Sequence, residues 1–480
     1  MDTSRPSCGP QPLGLELGAW QSGLLETEYF VSELDIVPKY AKTRDREAFG
    51  KAMRASVPRS AHAKWQVEHA RAVAIERIQQ SLQGRIPSLI SLRNQRMAAS
   101  PFAYFRGGAS VMSADLLHVP PTRLFVQLCG DAHVCNFGTF ARFDGSIGFD
   151  VNDFDETYNG PFEWDLKRLA ASIVLAGRES KHADSSCGEA VRSCVSTYRL
   201  LMKELANLSP FEVLRRRANR EEHARIIESL VTKARHKTPA RLLEDLTEAR
   251  GDARMFKDAP PLLARVGIGE LPRFAEAIET YTKTLPPETR AILQAWRLVD
   301  VAFKVVGVGS VGLACYVALL ATGDNQYYSI LQFKEAREST VEVAMRAAEL
   351  PVYPWAHQGQ RVIEGQRAMQ THDDPFVGYT SLGSMQLMVR RLAENKAAID
   401  NASAQGDALA SYAEATGSVL ALSHAVTGDP VAIAAYLGNS DAFERAMSQF
   451  AVAYADQAND DFAEFTRNIA HTENTTGVDA

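Results

Sequence analysis

The sequence predicts an α+β protein with two lobes, one helical and one a small antiparallel β-sheet. Three observations predict it. The chain has 480 residues, more than one compact core usually holds. Helical periodicity dominates the first 300 residues and returns after residue 408. Between them, residues 301–395 follow the alternation of short β-strands.

Residues 1–60 are mixed and punctuated by Pro and Gly, and read as an irregular arm with one short helix. Residues 61–300 form the helical lobe. A helical pattern over 61–97 is followed by SPFAYFRGGASVMSADLL, a helix with a glycine break. RLFVQL (123–128) is a short buried strand. Residues 129–164 are rich in Asp, Asn, Gly and Phe, which suits a pair of functional loops around a strand, SIGFDV (146–151). Helical patterns then run to about residue 300. Their charged segments, such as RRRANREEHAR, read as solvated faces.

Residues 301–395 form the β lobe. Strands are expected over 301–320, 327–333, 376–379 and 385–391, with a helix near 360–370. Residues 396–470 return as helices that complete the helical lobe, and 471–480 read as a disordered polar tail.

Composition narrows the function classes. Formal net charge is -6, from 52 basic and 58 acidic residues, which gives no general attraction to nucleic acid or anionic membrane. The longest apolar stretches, such as LAASIVLAG (169–177), fall short of the roughly 20 residues a membrane span needs. The opening MDTSRPSCGPQPLG lacks the basic-then-apolar pattern of a signal peptide. None of the six cysteines sits in a C-x-x-C pair. Cys129 and Cys135 flank His133 without a fourth zinc ligand. A cytoplasmic protein is expected.

The first chemical constellation lies in CGDAHVCNFG and GSIGFDVNDFDE. Asp131 and Asn136 are five positions apart, and Asp150, Asp153 and Asp155 follow. Phosphoryl transfer needs a carboxylate to orient the attacking hydroxyl and oxygen ligands for magnesium. The spacing resembles that of kinase-type enzymes, with Asp131 as base, Asn136 as metal ligand and Asp153 in a D-F-G-like turn (Asp153-Phe154-Asp155). Asp150 competes with Asp153 for the metal, because its spacing also fits. Cys129 departs from the His that small-molecule kinases often carry there. Asp165, in PFEWDLKRLAAS, matches an Asp that braces the catalytic loop through backbone N–H groups.

The second constellation is Gly307-x-Gly309-x-x-Gly312 with Lys334 twenty-two residues beyond Gly312. A dinucleotide-binding loop opens a helix, whereas LACYVALL reads as a strand. The glycines therefore suit a β-hairpin whose backbone lies over phosphates, with Ser310 at its tip. Lys334 ends an apolar strand, where a kinase places its phosphate-contacting lysine. A buried cation needs a carboxylate. Glu364 is the leading candidate, with Glu335, Glu338, Glu342 and Glu349 as rivals.

The order of these parts reverses that of ordinary kinases. The sequence thus resembles a protein-kinase-like, aminoglycoside-phosphotransferase-like fold in circularly permuted order. RMAASPFAYFRGGA, QLCGDAHVCNFGTF, FDVNDFDETYNGPFEWDLKRLAAS, VGVGSVGLACYV, LQFKEARES, QRVIEGQRAMQ and LSHAVTGD also resemble the bacterial domain of unknown function 2252, from about residue 44 to 461. Arg96 and Arg106, in the first of these, read either as structural arginines or as groups that neutralise transition-state charge.

The expected activity is an ATP- and Mg2+-dependent transfer (Mn2+ could substitute) of a phosphoryl or nucleotidyl group to a small-molecule or protein acceptor. Catalytic roles fall to Asp131 and Lys334. Gly307, Gly309, Ser310, Gly312, Lys334 and Glu364 would hold the nucleotide. Two alternatives stand beside it. One is a two-metal phosphodiesterase using Asp131, His133, Asp150 and Asp153. The other is a nucleotide-binding regulator, suggested by Cys129. The region 178–300 is expected to shape the acceptor site.

Overall fold

The computed structural model describes residues 39–65, 74–142, 144–218, 225–236, 238–370, 374–392, 397–399 and 406–476. Most of the expected arm, 1–38, and the end of the expected tail, 477–480, lie outside the described residues. The chain is an α+β protein with small antiparallel sheets.

The helical core is built around Phe162–Glu179. Its residues from Phe162 to Gly177 are all buried, so it carries no solvated face over those turns. Asp184–Leu205, Ala408–Thr427 and Ala442–Thr476 pack around it. The first two of these approach closely because position 417 is glycine: a Cβ there would collide with the Cys194 carbonyl. Helix Ala442–Thr476 runs through 471–476, which the sequence reading gave to the tail.

The strands are β1 (Phe125–Leu128), β2 (Phe137–Ala141), β3 (Ile147–Val151), β4 (Tyr158–Pro161), β5 (Thr247–Arg250), β6 (Ala253–Phe256), β7 (Leu263–Arg265), β8 (Arg297–Lys304), β9 (Cys315–Ala321), β10 (Tyr328–Glu335), β11 (Gly378–Leu382) and β12 (Met385–Arg391). β1 pairs with β4, β2 with β3 and β5 with β6. The other six form one antiparallel sheet in the order β11-β12-β10-β9-β8-β7.

Strand alternation explains both faces of this sheet. Ala318, Leu320, Leu331 and Phe333 meet Phe274, Tyr281 and Leu285 from and just after the helix Leu271–Lys283. Their neighbours Val317, Leu319 and Ile330 join a second cluster with Phe256 and Leu263. Both faces are covered, which is why CYVALLA reads as a continuous apolar run.

Three whole strands depart from the helical reading of 165–300, and β8 begins four residues inside it, at Arg297. β5 and β6 form a short polar hairpin, Thr247–Phe256, turned at Gly251 (φ +61°). β7 has only three residues and pairs with β8 at the edge of the large sheet. Elements this short carry too few residues to display a period.

Candidate functional site

The loop after β1 is held from below by one helix face. Asp165, Arg168 and Ser172 recur at helical spacing on Phe162–Glu179. Asp165, 1% exposed, accepts the Cys129 N–H (2.7 Å) and the Gly130 N–H (2.9 Å). Ser172 Oγ accepts the Val134 N–H at 3.0 Å. His424 Nε2 lies 3.4 Å from Asp165 Oδ2, and its Nδ1 faces the Tyr198 hydroxyl at 3.0 Å. Burial holds the Tyr198 hydroxyl well above its ordinary pKa, so it donates to Nδ1 and the other imidazole nitrogen donates to Asp165. Gly130 must be glycine. Its φ is +81°, and a Cβ would collide with the Glu156 carbonyl.

The loop presents Asp131 to a cleft. Arg168 Nη2 pairs with Asp131 Oδ1 at 2.7 Å, donates to the Phe105 carbonyl and stacks 3.7 Å from the Phe105 ring. Asn136 Nδ2 donates to the Asp131 carbonyl at 2.7 Å, which leaves its amide oxygen unspent on that contact. Asp153 lines the same cleft; Asp150 does not. Asp150 sits in β3 opposite Gly138, 2% exposed, and its Oδ1 accepts the Val151 N–H. Of the two competing carboxylates, the fold brings Asp153 beside Asn136 and Asp131.

From the other side comes the loop between β8 and β9. It is a hairpin connection, with positive φ at Gly307 (+62°) and Gly312 (+88°). Gly307, Gly309 and Ser310 line the cleft, whereas Gly312 is turned to Arg85 and Ile86. Arg96 Nη1 donates to the Gly307 carbonyl (2.5 Å), and Arg85 Nη1 to those of Gly309 and Val311. Arg96 therefore acts as a bridge to the glycine loop. Ser310 Oγ reaches Asp155 Oδ2 at 3.3 Å.

Lys334, 4% exposed on β10, closes the site. Its Nζ lies 3.1 Å from Asp153 Oδ2 and 2.5 Å from Asp155 Oδ2. Burial works against its charge, but the two carboxylates outweigh it and raise its pKa above the ordinary lysine value. Asp155 is pushed up to about 6, by burial first and then by Asp153, against the opposing pull of Lys334.

The expected Glu364 partner is a correction. Glu364 is half-exposed and pairs with Arg367 at 3.6 Å. Its rivals do no better: Glu335 pairs with Arg337, Glu338 and Glu342 pair with Arg346, and Lys334's ion pairs go to Asp153 and Asp155, not to Glu349. The helix Gln358–Met369 instead sends Arg361, 0% exposed, to the carbonyls of Asp155, Thr157 and Arg337. The two aspartates of the 153–155 turn already neutralise Lys334, so no glutamate is required.

The cleft holds about 150 Å³ of open space between these two loops. Among the described residues, no group of three or more His, Cys, Asp or Glu is placed to hold a metal ion. No described helix is long and apolar enough to cross a membrane.

Residues 85–468 match the family described as "Uncharacterized protein conserved in bacteria" (DUF2252). The chain belongs to this family. No match is found among curated proteins or among solved structures. The DUF2252 match spans every residue of the cleft named above.

Three residues of this DUF2252 site were missed by sequence reasoning. Arg168 had a signal: it follows Asp165 by three positions on one helix face. Arg361 and His424 had none, because Asp155 and Thr157, which Arg361 holds, and Asp165, which His424 faces, lie about 200 residues or more away in the chain. Cys129 is buried, and its Sγ lies 3.4 Å from the Asp153 carbonyl, a packing role beneath the cleft.

His133 yields a pH prediction. Its ring is 5% exposed, 3.8 Å from Asp131, and burial first, then Arg106 and Arg168, hold its pKa down to about 4 against Asp131. The folded value lies below the unfolded 6.5, so the folded state binds fewer protons between them. This contribution is fully present above pH 6.5 and is lost as pH falls through about 4. It amounts to about 3 kcal/mol. His133→Asn should flatten the pH dependence of urea unfolding over that window. A variant that keeps the wild-type slope there would refute the assignment.

Proposed function

We propose that this protein binds a nucleoside triphosphate with magnesium in the cleft and transfers a phosphoryl group, or alternatively the nucleotidyl group, to an acceptor. The observation that carries the reading is the meeting of two distant segments. Asp131, Asn136 and Asp153 face the Gly307–Gly309–Ser310 loop across one cleft, and Lys334 is ion-paired to Asp153. In this reading the chain is a circularly permuted, two-lobed kinase-like fold.

Asn136 and Asp153 would hold magnesium, which would neutralise charge on the phosphates. One carboxylate and one amide suffice in principle, because magnesium sites are commonly completed by phosphates and water. Lys334, already charged and buried, would take phosphate oxygens. Asp131, held in place by Arg168, would orient the acceptor hydroxyl. A loose transition state asks more of that positioning than of base strength.

Gly309 supports the ligand reading separately. Among the described residues, a Cβ there meets only the Arg106 carbonyl, at 3.5 Å, and its φ is not positive. Nothing among the described residues requires glycine at 309. A ligand approaching the backbone would.

ATP with magnesium at about 100 times its dissociation constant should add about 2.7 kcal/mol of stability, seen as a raised unfolding midpoint. Gly309→Ala should leave the ligand-free midpoint within about 0.5 kcal/mol of wild type and shrink the nucleotide shift. Asp131→Asn should keep the shift and lose turnover. No nucleotide shift in the wild type would sink the reading. The phosphodiesterase alternative is less well supported, because it needs Asp150 at the site and Asp150 does not line the cleft.

A further inference from the structure

The nucleotide reading leaves one wall of the cleft unused. That wall comes from residues 81–110, and it contains buried polar atoms that no group among the described residues satisfies. Arg93 is 0% exposed. Its Nη2 donates to the Gly107 carbonyl (3.0 Å) and to Ser81 Oγ (3.3 Å), while its Nε and Nη1 have no partner. Arg106 Nε and Ser110 Oγ are likewise buried and unpartnered. All three residues line the same cleft as Asp131, Asp153 and Gly309.

The carboxylates of the cleft are already engaged. Asp131 pairs with Arg168, Asp153 and Asp155 with Lys334, and Glu335 with Arg337. Glu156 accepts the Thr340 N–H and hydroxyl. Among the described residues, neither Arg93 nor Arg106 has a carboxylate within ion-pairing distance. A buried guanidinium without a counter-charge is costly to keep. Such unsatisfied groups are rare in native interiors and ask for an explanation. A planar fork of N–H donors matches the spacing of oxygens on an oxyanion, and a hydroxyl adds a further donor.

We propose that Arg93, Arg106 and Ser110 form an oxyanion site for a phosphate group, on the wall of the cleft contributed by residues 81–110. The phosphate has two possible sources, a phosphorylated acceptor or the terminal phosphate of the nucleotide. The proposal deepens the transferase reading, but its first test needs no nucleotide.

That test is a titration of the full chain with inorganic phosphate, against sodium chloride at matched ionic strength, read by unfolding midpoint and by calorimetry. Phosphate should stabilise the wild type beyond chloride. Arg106→Met should keep the ligand-free midpoint, since Arg106 makes no ion pair, and bind phosphate at least about tenfold more weakly. Arg93→Lys keeps a positive charge but loses the fork, and should weaken phosphate similarly. Equal effects of phosphate and chloride would overturn the site. So would variants that bind phosphate like the wild type. Failure here leaves the ATP response free to appear, and an absent ATP response leaves the phosphate result intact.

Repeating the titration with saturating ATP and magnesium separates the sources. If phosphate still binds, and Arg106→Met leaves ATP affinity unchanged, the group belongs to the acceptor. If ATP excludes phosphate, and Arg106→Met weakens ATP more than ADP, it is the terminal phosphate.

Discussion

Lys334→Met is expected to destabilise the ligand-free protein and to abolish the proposed response to ATP and magnesium. The ammonium is buried between Asp153 and Asp155, so removing it leaves two carboxylates facing each other without a cation. Breaking a fully buried pair costs about 3–5 kcal/mol; here about 2–3 is expected, because water reaches part of both aspartates and screens them. Asp153 is 37% exposed and Asp155 is 24% exposed.

The loss should also depend on pH, with a definite sign. Asp155 has a folded pKa of about 6, above the ordinary aspartate value of 3.8. Its contribution is therefore fully present below about 3.8 and is lost as pH rises through about 6. Without Lys334 the pull that lowers this pKa is gone, so the variant gains still more from a proton on Asp155. Lys334 itself stays charged over this range. The midpoint gap between wild type and variant should be smaller at about pH 5 than at about pH 8. An equal gap at both would mean that Asp155 does not respond to Lys334.

Asp165→Asn should cost about 2–3 kcal/mol through the loop it supports, although Asp165 touches no ligand site directly. Its carboxylate accepts two backbone N–H groups and faces His424. An amide of the same shape must turn an N–H toward one of these donors. The urea midpoint should fall with an unchanged m-value, and amide exchange at Cys129 and Gly130 should quicken. A midpoint shift worth less than about 0.5 kcal/mol, with exchange unchanged, would show that the loop is held by Ser172 and Tyr412 instead. Ser172 Oγ accepts the Val134 N–H, and the Tyr412 hydroxyl donates to the Val134 and Phe137 carbonyls.

Local pattern was enough for much of this molecule. β12 spans the residues its alternation predicts, β1 and β3 lie within their predicted segments, and β9 and β10 run one and two residues past the ends of theirs. The glycine break in SPFAYFRGGASVMSADLL separates two helices, Pro101–Gly107 and Ala109–Asp115. The bracing role of Asp165 came from the resemblance of PFEWDLKRLAAS to a kinase-like motif, and the carboxylate does accept the Cys129 and Gly130 N–H groups. β5 to β7 were not legible: they are three or four residues long, and pairing with neighbours rather than internal period makes them strands.

The sequence by itself determined the α+β class, the family segments and the two sets of residues with chemistry to offer. These depend on periods and spacings that a single segment contains. Only the tertiary structure decided how those sets combine. It put Asp153 rather than Asp150 in the cleft, gave Lys334 two aspartates rather than Glu364, and supplied Arg361 and His424 from distant helices. The reason is physical. A buried charge is satisfied by whichever opposite charge the packed backbone brings within about 4 Å, and one strand's register or one helix's rotation settles that choice.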